Sequence, residues 1–260
     1  MVIHKKYTNM FTADLHTHTI ASTHAYSTVN EYAARAAETG IRLFAMTDHG
    51  PELHDAPSPW HFYNLRVLPR VIGTVGVLRG VEANILEERL YPDHPLDCDD
   101  AVLEGLDIVL AGFHYPLVKT MDRKVNTRLM IEAITCGRVQ VISHPGNPQH
   151  PIDARAVAEA ATACNVALEA NNSSFLHVRK GSKGPCLELL HAQREAGGLI
   201  AVGSDAHHSH SLGVFDEALA LVREVDFPEE RIVNATPGRV LDFLALHGKE
   251  IPELRAYFAG

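Results

Sequence analysis

Short apolar segments rich in β-branched residues alternate with segments of helical periodicity along most of the chain. This alternation is typical of a parallel sheet whose strands are joined by crossover helices. The predicted strands are Leu15–His18, Leu43–His49, Leu78–Ala83, Ile108–His114, Val139–His144, Val166–Asn171 and Leu199–Asp205. The chain has 260 residues, and α/β barrels commonly have about 250. Because no linker stands out, we predict one barrel domain over residues 1–260.

Six helices are predicted between and after these strands: Thr28–Thr39, Asn126–Cys136, Asp153–Cys164, Pro185–Ala196, Val214–Val225 and Pro237–His247. Four of them end just before Gly40, Gly137, Asn165 or Gly197, residue types that commonly terminate helices. Asp153 is a predicted N-cap. The irregular segment Pro51–Thr74, which holds the only tryptophan, is predicted to be a long loop near the opening of the barrel.

Composition excludes several classes of protein. Lys and Arg number 23 against 32 for Asp and Glu, a formal charge of -9, which disfavours a surface that follows nucleic acid. The four cysteines form no CxxC pair, so neither a disulfide framework nor a thiolate zinc site is expected. With no secretory leader and no run of about 20 apolar residues, we expect a cytoplasmic protein without a membrane partner.

Almost every predicted strand ends in His, Asp or Glu, residue types that commonly bind metal ions. His16 and His18 form an i, i+2 pair whose side chains point to the same side, and Asp205 and His207 repeat this arrangement. Between them, four further strands end in such residues: His49, Glu82, His114 and His144. The strand ends of a parallel barrel meet at one face, where barrel enzymes have their active sites. With His24 from the loop after the first strand, nine side chains are expected to converge.

A single histidine at a strand end is more often a hydrogen-bonded residue than a metal ligand, but the whole cluster indicates metal binding. Burying so many polar groups together would be costly without compensation. Imidazole and carboxylate ligands suit zinc, manganese or iron. At three to five protein ligands per ion, nine groups suit two or three ions, with Glu82 as a bridge. Such a cluster is suited to the hydrolysis of phosphoesters.

The motifs "DLHTHT", "TDHG", "GVEAN", "GFH", "SHPGN" and "GSDAHH" resemble those of the PHP (polymerase and histidinol phosphatase) family. "ASTHAYS", "DAPSPWHF" and "NNSSFLHVRKGS" further resemble stand-alone bacterial members with a trinuclear zinc cluster. The resemblance implies a distorted (β/α)7 TIM-like barrel and three Zn²⁺ ions, with Mn²⁺ or Fe as alternatives. It assigns His16, His18, Glu82 and Asp205 to one ion, Glu82, His114 and His144 to the second, and His24, His49 and His207 to the third.

The expected activity is hydrolysis of a small phosphomonoester by water that the metal ions activate. His18, Glu82 and Asp205 are expected to be essential for catalysis. Arg179 and Lys180, with Lys183 nearby, are expected near the opening, where they could bind the substrate phosphate. A solvated charged loop is the alternative for them.

Four further residues have weaker predicted roles. Asp14 and Asp48 each lie close to a predicted ligand and could orient an imidazole, although an ordinary aspartate at a strand end or turn is an equal alternative. Trp60 and His61 could form part of the rim of the site, but a tryptophan that anchors a loop explains Trp60 equally well.

Three other functions stay open at this stage. A metal-dependent amidohydrolase also begins with HxH, but typically has a bridging lysine at its fourth strand, where this chain has His114 and only a later Lys119. A phosphodiesterase or nuclease of the PHP type is disfavoured by the acidic charge and the lack of a basic, aromatic-interleaved track. A non-catalytic metal-binding module ranks last because all nine ligand positions are filled. The assembly state is left open to a homo-oligomer.

Overall fold

The computed structural model describes residues 11–119, 122–176 and 179–260. In these residues the strands are β1 (Ala13–Asp14), β2 (Leu43–Met46), β3 (Val71–Ile72), β4 (Val75–Asn84), β5 (Ile108–Gly112), β6 (Val141–Ile142), β7 (Ala167–Asn171) and β8 (Ile200–Gly203). The helices are α1 (Val29–Thr39), α2 (Pro59–Asn64), α3 (Asp100–Gly105), α4 (Arg123–Thr135), α5 (Ala154–Ala163), α6 (Ser173–Leu176), α7 (Lys183–Ala196), α8 (Asp216–Glu224), α9 (Pro237–Ala245) and α10 (Pro252–Ala259). None of the helices in these ranges is long and apolar enough to cross a membrane.

Seven strands form a parallel sheet in the order β1-β2-β4-β5-β6-β7-β8. The short β3 pairs with β4 in the antiparallel direction and lies outside this series. The predicted α/β barrel with seven parallel strands is thereby confirmed. The strands β2, β5, β6 and β8 end before their predicted last residues, because the polar residues there leave the strand ladder. β1 lies before its predicted span, and β4 extends beyond its predicted span at both ends.

The barrel closes between β1 and β8 through segments that flank the two strands. Beyond the strand ends, Thr17 and Ala206 form a parallel bridge, and the His18 N–H donates to the Ala206 carbonyl at 2.8 Å. Below it, the buried side chain of Asn234 accepts from Val202 N and donates to the carbonyls of Ala13 and Val202. The segment around Asn234 therefore occupies the position where an eighth parallel strand would stand, which makes the barrel irregular.

Alternate residues of each strand face the barrel interior, as the two-residue period of a strand requires. Leu43, Leu78 and Leu110 belong to an apolar cluster inside the barrel, which α9 closes from below. Their strand neighbours, such as Phe44 and Val81, instead pack in the second apolar cluster, against the surrounding helices. The barrel interior therefore has an apolar layer, and inward-facing residues further along the strands lie above it.

Two polar residues lie on this inward face above the apolar layer. Glu82 follows Leu78 by four residues in β4, and Glu169 follows Ala167 by two in β7, so each shares the face of an interior residue. Both glutamates are almost completely buried. The register of the strands thus places carboxylates at the C-terminal end of the barrel interior.

Local sequence signals explain several helix ends. Thr28 caps α1 in a capping box with Glu31, and the Asp153 side chain accepts from Ala156 N at the start of α5, as predicted. Gly40 and Gly197 follow α1 and α7 with φ angles of 83° and 80°, values that suit glycine.

The prediction of one long loop over Pro51–Thr74 is wrong. The segment contains α2, a short 3₁₀ turn and β3. Pro59 suits the first turn of a helix, where its missing N–H costs nothing, and Phe62 and Leu65 are buried at a helical spacing of three. The short helices α3 and α10 were not predicted, and α4 begins at Arg123 because Asp122 caps it.

Candidate metal centre

The nine predicted side chains lie together at the C-terminal end of the barrel. Glu82 is at the centre of the group: its carboxylate lies 2.7 Å from His144 Nε2, 3.0 Å from His49 Nδ1, 3.2 Å from His114 Nε2 and 3.3 Å from His16 Nε2. The remaining members join through close contacts of their own: His18, His24, Asp205 and His207. Residues far apart in the sequence therefore form a single cluster.

The imidazoles of His16 and His18 lie close to each other and to the carboxylates of Glu82 and Asp205. His16 Nε2 lies 3.1 Å from His18 Nε2, 3.3 Å from Glu82 Oε2 and 3.5 Å from Asp205 Oδ1. His18 Nε2 lies 3.5 Å from Glu82 Oε2 and 3.3 Å from Asp205 Oδ1. Donors about 2.0–2.2 Å from a tetrahedral zinc ion would be separated by about 3.3–3.6 Å. Both imidazole nitrogens thus lie from each other and from the two carboxylate oxygens at nearly the spacing of ligands that share a zinc ion.

The other carboxylate oxygen of Glu82 faces a second group. Its Oε1 lies 2.7 Å from His144 Nε2 and 3.2 Å from His114 Nε2. Because Oε2 faces His16 and His18, the two oxygens of one glutamate point to two different sets of imidazoles. This is the arrangement of a bridging carboxylate.

The third predicted set is divided. His24 Nε2 and His207 Nε2 are 2.9 Å apart. His49 instead lies between groups: its ring stacks on those of His18 and His24, while its Nδ1 faces Glu82 Oε2 at 3.0 Å. By the spacing of ligand atoms, His49 belongs to two possible ion-binding groups. One contains Glu82 and His114, and the other contains His18 and His207.

Acceptors behind the cluster fix the orientation of four imidazoles. His16 Nδ1 donates to Glu169 Oε1 at 2.7 Å, and His114 Nδ1 donates to Asn84 Oδ1 at 2.7 Å. His24 Nδ1 donates to Asp55 Oδ2, and His207 Nδ1 to the Asp205 carbonyl at 3.0 Å. Each contact keeps the proton on Nδ1 and leaves Nε2 free to bind an ion.

The sequence analysis did not identify Glu169, Asn84 or Asp55. Glu169 has further partners besides His16, since it accepts from the His144 N–H at 2.8 Å and from Asn171 Nδ2 at 3.0 Å. A signal for it exists in the sequence, where a single acidic residue interrupts the apolar strand "VALEAN". The loop aspartate and the strand asparagine carry no comparable signal.

Burial favours the neutral form of two imidazoles in the cluster, whereas the carboxylates favour the charged form of a third. Burial, together with His49 and His207, lowers the pKa of His18 well below its usual value. Burial and the nearby Arg179 lower the pKa of His144 to about 4. Burial would likewise lower the pKa of His16, but the surrounding carboxylates, with Glu169 first, raise it well above its usual value.

Two carboxylates of the cluster stay ionised although they are buried. Burial alone would raise the pKa of Glu82, but the imidazoles of His16, His114 and His144 hold it well below its usual value. The pKa of Asp205 is lowered in the same way against burial, chiefly by His16 and a hydrogen bond from His18. The centre therefore concentrates negative charge where cations would bind.

The donor set fits metal ions better than it fits internal pairing. His49 Nδ1, Glu82 Oε2 and His114 Nε2 are buried and have no hydrogen-bond partner of good geometry among the residues that the structure describes. Leaving such a group unpaired costs about 1–3 kcal/mol each. A cation between these atoms would remove that cost, and the same three residues form a candidate ion-binding group by their spacing.

The backbone at the centre adopts conformations that are uncommon for residues other than glycine. His144 has φ 33° and Asp205 has φ 54°, both in the left-handed region. Gly203 is required for a different reason, since a Cβ there would lie 1.9 Å from Glu169 Oε1. The sharp turns and the close packing together aim the side chains after β6 and β8 into the cluster.

Asp14 and Asp48 do not orient the predicted ligands. Asp14 accepts from the backbone N–H groups of His16, Ser204 and Gly213, and burial raises its pKa to about 6. Asp48 accepts from the Thr19 and Ser22 hydroxyls and lies 3.2 Å from His61 Nε2. Both predictions are corrected. The two carboxylates accept hydrogen bonds from the loops that follow the strands, and so they fix those loops and not the imidazole rings.

The three predicted cations near the opening are not equivalent. Arg179 donates to Asp205 Oδ2 at 3.1 Å and to Ser174 Oγ at 3.3 Å, and its side chain lines the cavity beside the cluster. Lys180 and Lys183 line a different cavity, against α8, and Lys183 pairs with Glu224. Of these three cations, only Arg179 lies beside the cluster, as expected. His177 and Val178 of the motif "HVRKGSKG" lie outside the described residues.

Trp60 and His61 also differ in position. Trp60 is 76% exposed and touches Tyr63 edge-on, so it does not anchor a loop in the interior. His61 lies over Asp48. The rim of the site is instead formed by the loops that carry Leu53, Asp55 and Tyr115.

A cavity of about 460 Å³ opens directly over the cluster. Besides five members of the cluster, it is lined by Leu53, His54, Asp55, Phe113, Tyr115, Asn147, Gln149, Ser173 and Arg179. Amide, hydroxyl and aromatic groups thus surround a floor of imidazoles. A cavity of this size suits a small molecule.

Comparison with known proteins finds similarity over most of the chain. The sequence profile described as the PHP domain matches residues 14–173. "Probable phosphatase YcdX" of Escherichia coli (strain K12) is 52% identical over 239 residues, which are 92% of this chain and 96% of that protein. A "Probable phosphatase" of Citrobacter koseri is 52% identical over 245 residues, 94% of this chain and 98% of that protein.

Solved structures share the fold at low sequence identity. A histidinol phosphate phosphatase from Lactococcus lactis, complexed with zinc, L-histidinol and phosphate, has a TM-score of 0.58 and 14% identity, and the match covers 84% of this chain and 94% of that one. A chain of an archaeal ribonuclease P with mature tRNA has a TM-score of 0.51 and 13% identity, with 90% of each chain covered.

Proposed function

The chain belongs to the PHP domain family, and from that premise we propose that it is a metal-dependent phosphatase that hydrolyses small phosphomonoesters. The observation that carries the proposal is the cluster around Glu82, in which the Nε2 atoms of His16 and His18 lie 3.1–3.5 Å from each other and from one oxygen each of Glu82 and Asp205, nearly the spacing of ligands that share a zinc ion. The relatives named as probable phosphatases support the reaction class, because they match nearly the whole chain.

The cluster would hold three zinc ions, with manganese or iron as alternatives that the same ligand types accept. His16, His18, Glu82 and Asp205 would hold one ion, and Glu82, His114 and His144 a second. The third would be held by His24, His49 and His207, and His49 also lies close to Glu82. The zinc in the structure of the Lactococcus lactis enzyme supports this choice of metal.

When bound, such ions acidify water and neutralise charge on a phosphoryl group, which is most of what phosphoester hydrolysis requires. The protein's own side chains supply the rest. Glu169, Asn84 and Asp55 keep imidazole protons on Nδ1 and the rings in place. Geometry held in this way adds to catalysis because no reorganisation is needed during the reaction.

Arg179 is the side chain best placed to bind the substrate phosphate. It lines the cavity over the cluster, and its hydrogen bonds to Asp205 and Ser174 fix the guanidinium at the edge of the floor. A guanidinium so held can present further N–H groups to a phosphate oxygen. The alcohol part of the substrate would lie against Tyr115, Asn147 and Gln149, and the size of the cavity favours a small one.

The test is hydrolysis of four kinds of substrate by protein that has been stripped of metal and reloaded with zinc. We expect p-nitrophenyl phosphate to be hydrolysed, and bis-p-nitrophenyl phosphate, single-stranded oligonucleotides and a panel of amides to be hydrolysed at least tenfold more slowly. Activity should be lost on chelation and return with zinc. Full activity in metal-free protein, or preference for diesters or amides, would overturn the proposal.

Variants connect this activity to the cluster. His18→Ala, Glu82→Gln and Asp205→Asn should each lose bound metal together with phosphomonoesterase activity, because each removes a central donor atom. Lys180→Ala, which changes a different cavity, serves as the matched control and should keep both. A Glu82→Gln protein with full activity and full metal content would contradict the proposed role of the cluster.

A further inference from the structure

The clustered side chains differ sharply in their exposure to solvent. The side chains of His16, His18 and Glu82 are at most 1% exposed, that of His144 is 2% exposed, and that of His114 is 10% exposed. Those of His24 and His207 are 42% and 30% exposed, and both line the open cavity. We call His24 and His207 the outer pair. An ion bound between their Nε2 atoms would face water, whereas an ion between His16 and His18 would be enclosed by protein.

The outer pair also differs from the inner groups in charge. The inner donors include the carboxylates of Glu82 and Asp205, whereas the outer pair offers only imidazole nitrogens. Asp205 lies 3.5 Å from His207 Nδ1, but its two oxygens contact His18 and Arg179, so its charge serves the inner group. An ion with fewer anionic ligands is held less tightly, since less of its charge is neutralised.

Asp55 is the carboxylate that supports the outer pair from behind. Its Oδ2 accepts from His24 Nδ1 at 2.5 Å. Its backbone carbonyl accepts from both the N–H and the hydroxyl of Thr23, at 2.9 and 3.2 Å. Asp55 therefore fixes both the ring of His24 and the loop that carries it. Glu169 has the corresponding position behind His16, but it is buried, whereas Asp55 stands at the cavity mouth.

We infer that the outer pair forms an exchangeable ion position, distinct from the two enclosed ones, and that Asp55 is the positioning residue that sets its affinity. The inference rests on the proposed metal cluster and adds an order of release to it. Water reaches the outer position through the cavity, so an ion can leave there without opening the inner groups. Asp55 opposes this release because its negative charge makes His24 a stronger donor and holds the ring in place.

The test is the zinc content of the full chain after equilibrium dialysis against a series of buffered free zinc concentrations. The wild-type protein should release its zinc in two steps, with one ion lost before the other two. Asp55→Asn should raise the free zinc needed to fill the first-lost position, and Asp55→Ala should raise it further, by about 10- to 100-fold. The concentration at which the remaining two ions are lost should not change.

Glu52→Gln is the matched control, since it removes the same charge from an exposed side chain of the same loop. It should give the wild-type release curve. Thermal unfolding of the metal-free proteins will show whether the Asp55 variants fold like wild type, and the milder Asp55→Asn keeps the test usable if Asp55→Ala does not.

Two outcomes would overturn the inference. One is release of all zinc from the wild-type protein in a single step, and the other is a wild-type release curve for both Asp55 variants. Either of them leaves the proposed phosphatase activity intact. A wild-type protein that binds no metal under any condition would contradict the proposed function as well, so the two failures are distinguishable.

Discussion

Seven of the nine clustered side chains are imidazoles, and an imidazole that binds an ion through one nitrogen needs a partner for the other. The structure provides such partners at four rings, through Glu169, Asn84, Asp55 and the Asp205 carbonyl. These acceptors come from different strands and loops. The orientation of the ion-binding imidazoles therefore depends on residues that would not contact an ion themselves.

Glu169 makes hydrogen bonds to His16, His144 and Asn171, so its replacement should weaken metal binding. In Glu169→Gln, the amide can still accept from His16 Nδ1, but its NH₂ group would face the His144 N–H and the Asn171 amide. We expect zinc affinity of the enclosed positions to fall by about 10- to 100-fold. Competition with a chromophoric chelator measures this, with the exposed Glu188→Gln as control. Unchanged affinity would show that His16 needs no carboxylate behind it.

Arg179 should affect substrate binding rather than metal binding. Removing a hydrogen bond to a charged group costs about 1.5–3 kcal/mol, which corresponds to roughly a tenfold to hundredfold change. Arg179→Ala should therefore reduce kcat/KM for p-nitrophenyl phosphate by roughly that factor while zinc content stays at the wild-type level. Lys180→Ala should leave kcat/KM unchanged. Loss of zinc from Arg179→Ala would instead show that the guanidinium stabilises the Asp205 ligand.

The ligand residues could be predicted from the sequence because they follow the strands at a fixed topological position. His16, Glu82 and Asp205 each end a recognisable apolar segment, and a parallel barrel brings such ends together. Asp55 and Asn84 could not be predicted in their roles. Asp55 reaches His24 from a loop, and Asn84 meets His114 where β4 and β5 end, and no periodic pattern specifies either contact.

At the scale of secondary structure, the two-residue period of the strands separates the barrel interior from its outer face. Leu78, Gly80 and Glu82 follow one another on the inner face of β4, so an apolar layer passes into a polar one within a single strand. The predicted strands were correct in number because this apolar character is strong. Their ends were not, because the polar residues at the predicted ends, such as His16 and His144, lie outside the strands.

Another part of the structure that the sequence did not reveal is the segment around Asn234, which completes the barrel between β1 and β8. It is too short and too polar to be recognised as a strand, yet Ile232 forms a parallel bridge with Ile200, and the Val233 N–H donates to the Ile200 carbonyl. The Asn234 side chain forms hydrogen bonds with backbone groups of both β1 and β8. Closure of the barrel thus depends on one buried amide in place of a full strand.

Asn234→Ala should therefore destabilise the fold strongly. The change leaves Val202 N and the carbonyls of Ala13 and Val202 without the side chain that pairs them. At about 1–3 kcal/mol for each buried unpaired group, we expect a loss of at least about 3 kcal/mol in the free energy of unfolding. Urea denaturation measures this loss. Asn64→Ala, at an exposed position, should change it by less than about 0.5 kcal/mol. Equal stability of the two variants would contradict this account of closure.

At the scale of the whole molecule, folding and metal binding are separable in part. The apolar layer inside the barrel and the packing between sheet and helices contain no candidate ligand. They can support the fold while the polar layer above them is unfilled. The cluster, however, holds buried carboxylates and unpaired imidazole nitrogens whose cost an ion would remove.

Metal removal should consequently lower the melting temperature without unfolding the protein at 25 °C. A ligand that binds only the native state at about 1,000 times its Kd adds about 4 kcal/mol of stability. In a domain of this size each kcal/mol corresponds to about 2–4 °C, so stripping even one such ion should lower Tm by about 10 °C. Circular dichroism of chelated and zinc-reloaded protein measures both quantities. The far-UV spectrum at 25 °C should stay the same, because the apolar layers do not depend on the ions. A chelated protein that melts at the wild-type temperature would show that the cluster contributes no metal-linked stability, and one that is unfolded at 25 °C would show that the apolar layers cannot support the barrel alone.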